Sequence, residues 1–278
     1  ALAWQHLLGR GGTETPPFVL VLTVALISAT AAFSAAVIVL VLFAVEGFNP
    51  ALANDSLLMK NLTFFFGHGL VNITMYLGVA LVYELLPEYT GRKVRTSRIV
   101  ALAWNLAMAL VLMVYMHHLY MDFVQPLAFQ LIGQVGSYII SIPAAVISVF
   151  TVLYLVYGSE VKWTLASTFI FFGVMGWAVG GVQAIIDSTV SANFRFHNTL
   201  WVPAHVHSYF LLGLVMMVLA YAYDLGERVS GLAAGIGRTR LVTALFLVGG
   251  WGLITLFSLA GADSVPRRYA AYPAEVAQ

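Results

Sequence analysis

Five histidines lie inside apolar stretches of this chain: His68, His117, His118, His205 and His207. Neutral imidazole is a ligand for transition metals and haem iron, and an ionisable group inside a lipid-spanning run usually marks function because it costs free energy there. Spacing sorts the five. Residues i and i+2 on an α-helix point about 200° apart, so His205 and His207 cannot easily share one ion. They suit axial ligation of two different metals, one on each face of a helix. His117 and His118 are about 100° apart and can converge with His68 from a neighbouring helix on a single ion, leaving a coordination position open. The plain alternative for one intramembrane histidine is a hydrogen-bonded structural residue. Five from three helices favour a metal or cofactor cluster.

Composition says what carries these residues. With 61% hydrophobic and 9% charged residues over 278 positions, the chain reads as an all-α, polytopic membrane helical bundle. Seven apolar runs, roughly 17–46, 61–86, 97–121, 126–157, 163–186, 199–223 and 238–261, each exceed the ~20 residues a span needs. Polar stretches such as "EYTGRKVRTSR" (88–98) and "YDLGERVSGLAAGIGRTR" (223–240) separate them. No soluble domain or internal repeat is visible, and residues 1–278 read as one transmembrane domain. Membrane lipid is the surrounding partner, and no basic run points to nucleic acid. Zero cysteines exclude disulfides, iron–sulfur clusters, thioether haem attachment and a thiolate copper site within this chain.

Orientation follows from the basic residues. With the N-terminus inside, Arg10, Arg92, Lys93, Arg95, Arg98, Lys162, Arg228, Arg238 and Arg240 lie inside, against Lys60, Arg195, Arg267 and Arg268 outside. That bias sets the direction. All five histidines then fall on the order of 5–10 Å below the outer surface, given a rise of about 1.5 Å per residue. Trp4, Trp163, Trp177, Trp201 and Trp251 read as interfacial belts. "LVMMVLAYAY" (214–223) reads as ordinary helix packing.

The motifs "GH" at 67–68, "HH" at 117–118, "FHNTLWVPAHVHSYF" at 196–210 and "VPRRYAAYP" at 265–273 resemble, in order and spacing, subunit I of the haem–copper oxidoreductase superfamily. The nearest flavour is the B-family (ba-type) oxidases and their nitric oxide reductase relatives. The resemblance implies that His205 ligates a high-spin catalytic haem and His207 a low-spin haem. It implies that His68, His117 and His118 hold the non-haem metal, copper in most of the superfamily and iron in some. His197 sits where the family bonds a haem propionate, and Arg267 and Arg268 occupy its propionate-binding arginine pair. For the arginines the plain alternative is a solvated flank. The seven spans match the family's fifth to eleventh helices. Without the first four and the twelfth, and with Ala1 rather than Met at the start, a split or partial chain is expected. A companion subunit or further segment would then supply the second low-spin haem ligand and the electron-input site, with cytochrome c, cupredoxin or quinol as donor.

Departures from the family bear on the reaction. One helical turn after His68, where oxygen-reducing A- and B-family members carry a cross-linked tyrosine, stands Asn72, which cannot give up an electron. Phe171 and Phe172 occupy the region where C-family members place theirs. In "YIISIPAAVISVF" (138–150), Ala144 and Ile147 replace a threonine and a lysine of the A-family proton path. Ser137, Tyr138 and Ser141 remain, either to serve that path or to bond back to their own helix. Splitting oxygen takes four electrons at one site, whereas coupling two nitric oxide molecules takes two. Nitric oxide reduction is therefore the favoured expectation, although the glutamates of the cytochrome-c-dependent reductases are missing. A terminal oxidase reducing oxygen to water is the alternative. A non-catalytic haem-binding membrane protein ranks third, because haem delivery needs one haem site and no three-histidine set. The localisation expected is a multi-pass prokaryotic plasma membrane, with the metal site nearer the outer face.

Overall fold

The computed structural model describes residues 15–122, 124–272 and 274, so Trp4, Arg10 and Pro273 lie outside the described residues. Seven rods in it are long and apolar enough to cross a bilayer. Helices are the outcome expected of such runs, because in hydrocarbon each backbone N–H and C=O must pair within its own segment. Among the described residues no strand forms, only an isolated bridge between Thr199 and Pro266.

Local signals start the rods where the apolar runs begin. Helix α1 (Pro17–Phe48) opens on a proline, whose missing N–H is no loss at that position. Helix α2 (Ser56–Thr90) is capped by Asp55, which accepts from the Leu58 N–H at 2.6 Å. Helix α3 (Arg98–Val111) is capped by Ser97 and passes into a 3-10 turn, Val114–Leu119. Helix α4 (Leu127–Ala145), a π segment at Val146–Phe150 and α5 (Thr151–Val156) form the fourth rod. A reciprocal capping box of Thr164 and Ser167 starts α6 (Leu165–Asp187), and the short α7 (Val190–Phe196) follows. The sixth rod is α8 (Trp201–Tyr209), a π segment at Phe210–Val215 and α9 (Met216–Ser230). Helix α10 (Ile236–Ala262) is the seventh.

Three sequence expectations need correction. The third span is not one helix from 97 to 121: α3 stops at Val111, and His117 and His118 sit in the 3-10 turn. Neighbouring side chains there diverge by about 120°, because 3-10 geometry has three residues per turn. The sixth span runs seven residues past 223 to Ser230, because Arg228 pairs with Asp224 one turn earlier and with Glu88 on α2. Tyr89 also donates to Asp224, at 2.6 Å, and Gly231 in the left-handed conformation ends the helix. Trp177 and Trp251 lie in the middle of α6 and α10, Trp177 buried against Tyr209 and Trp251 packed on the core. They are bundle residues, whereas Trp163 and Trp201 do flank helix ends.

Packing holds the histidine-bearing rods in register. Helix α1 lies along α2, α8 and the π segment after it pack against both α6 and α10, and α9 packs against α6. Leu212, in that π segment, is clamped between Gly176 of α6 and Gly250 of α10. A Cβ at either glycine would fall 2.5 or 2.4 Å from Leu212 atoms, so no larger residue fits without displacement. Fully buried Trp104 takes the rings of Tyr76 and Tyr83 edge-on, at 5.2 and 6.4 Å. The Tyr83 hydroxyl donates to the Ile147 carbonyl at 2.5 Å, tying α2 to the first π segment.

Candidate metal and cofactor centre

Helix α2 carries His68 past the 3-10 turn that carries His117 and His118, and the three rings meet. Their centroids are 5.2, 5.3 and 4.3 Å apart, and one ligand nitrogen from each lies within 4.8 Å of the others. The three side chains are half-buried. Ser137 orients one of them. Its hydroxyl donates to the Gly133 carbonyl at 2.6 Å, so its lone pairs accept from His117 Nδ1, 3.1 Å away. His117 then keeps its lone pair at Nε2, the nitrogen left for a ligand. Ser141 also bonds back to its own helix, at the Ser137 carbonyl, while Tyr138 bonds Thr189. Phe64 stacks on His118 at 5.6 Å.

Asn72 stands on the same face of α2 as His68. Its amide nitrogen donates to the His68 carbonyl at 2.9 Å and lies 3.3 Å from ring Nε2. The side chain thus leans back on the histidine it follows.

His205 and His207 part as their spacing requires. The His205 ring lies alongside the Gly180 backbone and 5.1 Å from Tyr209, and it is near enough to all three other histidines to interact electrostatically. Among the described residues, its buried Nδ1 has no partner at hydrogen-bonding distance. His207 turns the other way, 6.2 Å from Phe257 on α10, with Nδ1 2.6 Å from the Pro203 carbonyl. A carbonyl only accepts, so Nδ1 carries the proton and Nε2 keeps its lone pair.

The third group forms at one end of the bundle, where the loop after α7 meets the segment after α10. Leu200 donates to the Val265 carbonyl and Arg267 to the Asn198 carbonyl, each at 2.9 Å, flanking the Thr199–Pro266 bridge. Arg267 also donates from its guanidinium to Asn198 Oδ1 at 3.1 Å. Asn198, Ser264 and Arg268 are left-handed non-glycines, a strained set that the stitched backbone holds. Burial lowers the His197 pKa below its ordinary value, and the nearby positive charges of Arg267, Lys60 and Arg268 lower it further. Burial and the adjacent Arg268 also depress Arg267, with Asp187 opposing them. Among the described residues, Arg267 Nε is buried and has no partner. This cluster holds surplus positive charge and an orphaned donor, the surroundings that carboxylates such as propionates satisfy. Lys60, Asn198 and Asp187 were not singled out from the sequence, because only the fold brings positions so far apart in the chain together.

Fold and site thus define an integral membrane helical protein with three imidazoles convergent on one point and two more on opposite faces of one helix. The profile of the family described as "Cytochrome C and Quinol oxidase polypeptide I" matches residues 8–278, and the chain belongs to that family. It is 26% identical over 227 residues to "Cytochrome c oxidase subunit 1" of Bacillus subtilis (strain 168), covering 82% of this chain and 36% of that one. To "Heme-copper oxidase subunit I+III" of Aeropyrum pernix it is 24% identical over 225 residues, covering 81% of this chain and 27% of that one. A solved "heme-copper terminal oxidase dimer" superposes with TM-score 0.73 and 21% identity, over 92% of this chain and 49% of that chain, and shares its fold. The chain spans about a third of the length of the curated relatives it matches.

Proposed function

We propose that this chain is the catalytic subunit, or part of it, of a respiratory haem–copper reductase that converts nitric oxide to nitrous oxide. The observation that carries the choice of gas is Asn72, an amide beside His68 where the oxygen-reducing relatives hold a phenol. Two molecules of nitric oxide, two electrons and two protons give one nitrous oxide and one water, so the site needs no residue that yields an electron. Oxygen takes four electrons to reach water.

In this reading His68, His117 and His118 hold copper, or iron in its place. His205 holds a high-spin haem, His207 one face of a low-spin haem, and His197, Arg267 and Arg268 the propionates. The donor chemistry fits: three neutral imidazoles leave a coordination position open, and each helix-borne histidine has a free nitrogen lone pair. The bound metals supply electron transfer and that open position. The chain's own residues do the rest: Ser137 fixes the His117 tautomer, Pro203 fixes that of His207, and the arginine pair neutralises carboxylates. A companion subunit or a further segment of the same protein brings the second low-spin ligand and the electrons, from cytochrome c, cupredoxin or quinol. The site lies nearer the outer face of a prokaryotic plasma membrane.

The names of the relatives favour a second reading, a terminal oxidase reducing oxygen to water. Gas consumption by the purified complex separates the two. Nitrous oxide formed rapidly with slow oxygen uptake supports the proposal, whereas rapid reduction of oxygen to water with little nitric oxide turnover establishes the oxidase. A reduced-minus-oxidised spectrum with carbon monoxide tests for the two haems that both readings share and a non-catalytic haem carrier lacks.

A further inference from the structure

Gln183 sits in the last third of α6, in a stretch, 169–186, that is otherwise apolar or glycine, and only 7% of its surface is exposed. A buried amide is costly inside a membrane unless both its ends are bonded. Both are. The Ser208 hydroxyl of α8 donates to Gln183 Oε1 at 2.7 Å, and Gln183 Nε2 donates to Ser258 Oγ of α10 at 3.2 Å. One side chain therefore joins three rods.

The Ser208 bond is unlike those donated by the serines and threonines of the first four spans. Thr23, Thr30, Ser34, Thr90, Ser137, Ser141 and Ser148 all donate to the carbonyl four residues back on their own helix, a bond that ties no neighbouring helix. Ser208 reaches across, and it is fully buried. Its place matters: it is next to His207 and, three residues after His205, about 60° around the helix from it. At the other end, Ser258 adjoins Phe257, the ring that packs on His207. Both ends of the bridge thus abut the His207 environment.

We propose that Gln183 is a positioning residue that fixes the rotation of α8, and with it the aim of His205 and His207 at their metals. This rests on the reading that these histidines hold haems. The bridge acts at the level of the ligands, while Leu212, clamped between Gly176 and Gly250, acts just beyond the C-terminal end of α8. Leu212 sets how closely the rods approach, and Gln183 sets the angle.

The test uses the whole complex purified from its membrane, with Gln183→Leu, Gln183→Glu, Ser208→Ala and Ser258→Ala variants. The low-spin haem is read by electron paramagnetic resonance and by its reduced-minus-oxidised band, the high-spin haem by carbon monoxide binding. Gln183→Leu and Ser208→Ala are expected to shift or split the six-coordinate signal, with a smaller change at the carbon-monoxide-reactive haem. Ser258→Ala should give a lesser shift of the same kind. Gln183→Glu, which as the neutral acid both accepts and donates, should restore the parent signal. Unchanged spectra in Gln183→Leu overturn the proposal. If that variant fails to assemble, Ser208→Ala decides alone, because it removes the bond with almost no change in volume, and unchanged spectra there overturn it equally. A parent complex with no haem bands would instead refute the haem reading itself.

Discussion

His205 and His207 are two residues apart on one turn of α8, yet their rings live under different rules. His207 is tethered: Nδ1 is bonded to Pro203, Phe257 covers one side, and Nε2 alone remains for a ligand. His205 is open: Nδ1 is buried without a partner among the described residues, Tyr209 stands at its edge, and three further imidazoles lie within electrostatic reach. A tethered ring suits a site whose coordination should not change during turnover. A ring without that tether suits one where the bound partners change. Helix periodicity produces the division of labour, since about 200° of rotation separates the two side chains while one backbone positions both.

The most drastic way to break this comparison is to remove each ring in turn. His207→Ala should abolish the six-coordinate haem component and leave carbon monoxide binding, while His205→Ala should do the reverse. Loss of one and the same spectral component in both variants would mean that the two rings do not serve separate haems. On the open side, His118→Ala should empty the non-haem metal site while both haems stay. Full metal content by elemental analysis in that variant would remove the three-histidine assignment.

Smaller effects sharpen the contrast. Asn72→Leu deletes the amide that leans on His68, and nitric oxide turnover should drop by about 10- to 100-fold, the range for losing a group that orients a metal ligand, with both haem spectra intact. Turnover at the parent rate would leave Asn72 without a part in the reaction. Ser137→Ala strips His117 of its acceptor, and competition with a chelator should show copper affinity reduced by about tenfold.

The mildest expectation concerns pH and His197. Its folded pKa lies below the ordinary 6.5, so between those two values the unfolded chain binds more protons and stability falls as pH falls. In haem-depleted protein, His197→Gln should flatten the decline in melting temperature below about pH 6.5. An equally steep decline in the variant would assign the titration to another group.

Long apolar runs made the seven rods legible, and the five histidines were legible because few other ionisable side chains interrupt those runs. Register then followed from helix geometry for His205 and His207, which do sit on a regular turn. It failed for His117 and His118, because neither glycine nor proline occurs between Arg98 and Asp122 to announce the break after Val111. The π segments did carry a mark, Pro143 just before the first and Gly213 within the second, but neither residue type says by itself that the helix widens rather than bends. Trp177 and Trp251 were misread because an indole buries as well against other helices as it sits at an interface. Asn198 and Gln183 escaped notice for a different reason: their partners lie 69 and 75 residues away, at Arg267 and Ser258, and only the tertiary fold introduces them.

The three convergent imidazoles come from consecutive rods in the first half of the chain, and this sets an order of manufacture. When the ribosome has added His118, it is still 150 residues short of Arg268. At about 5–20 residues per second that interval lasts roughly 8–30 s. At its start, every ligand of the proposed copper site exists, while the proposed haem-ligand helix and the arginine clamp have yet to be made.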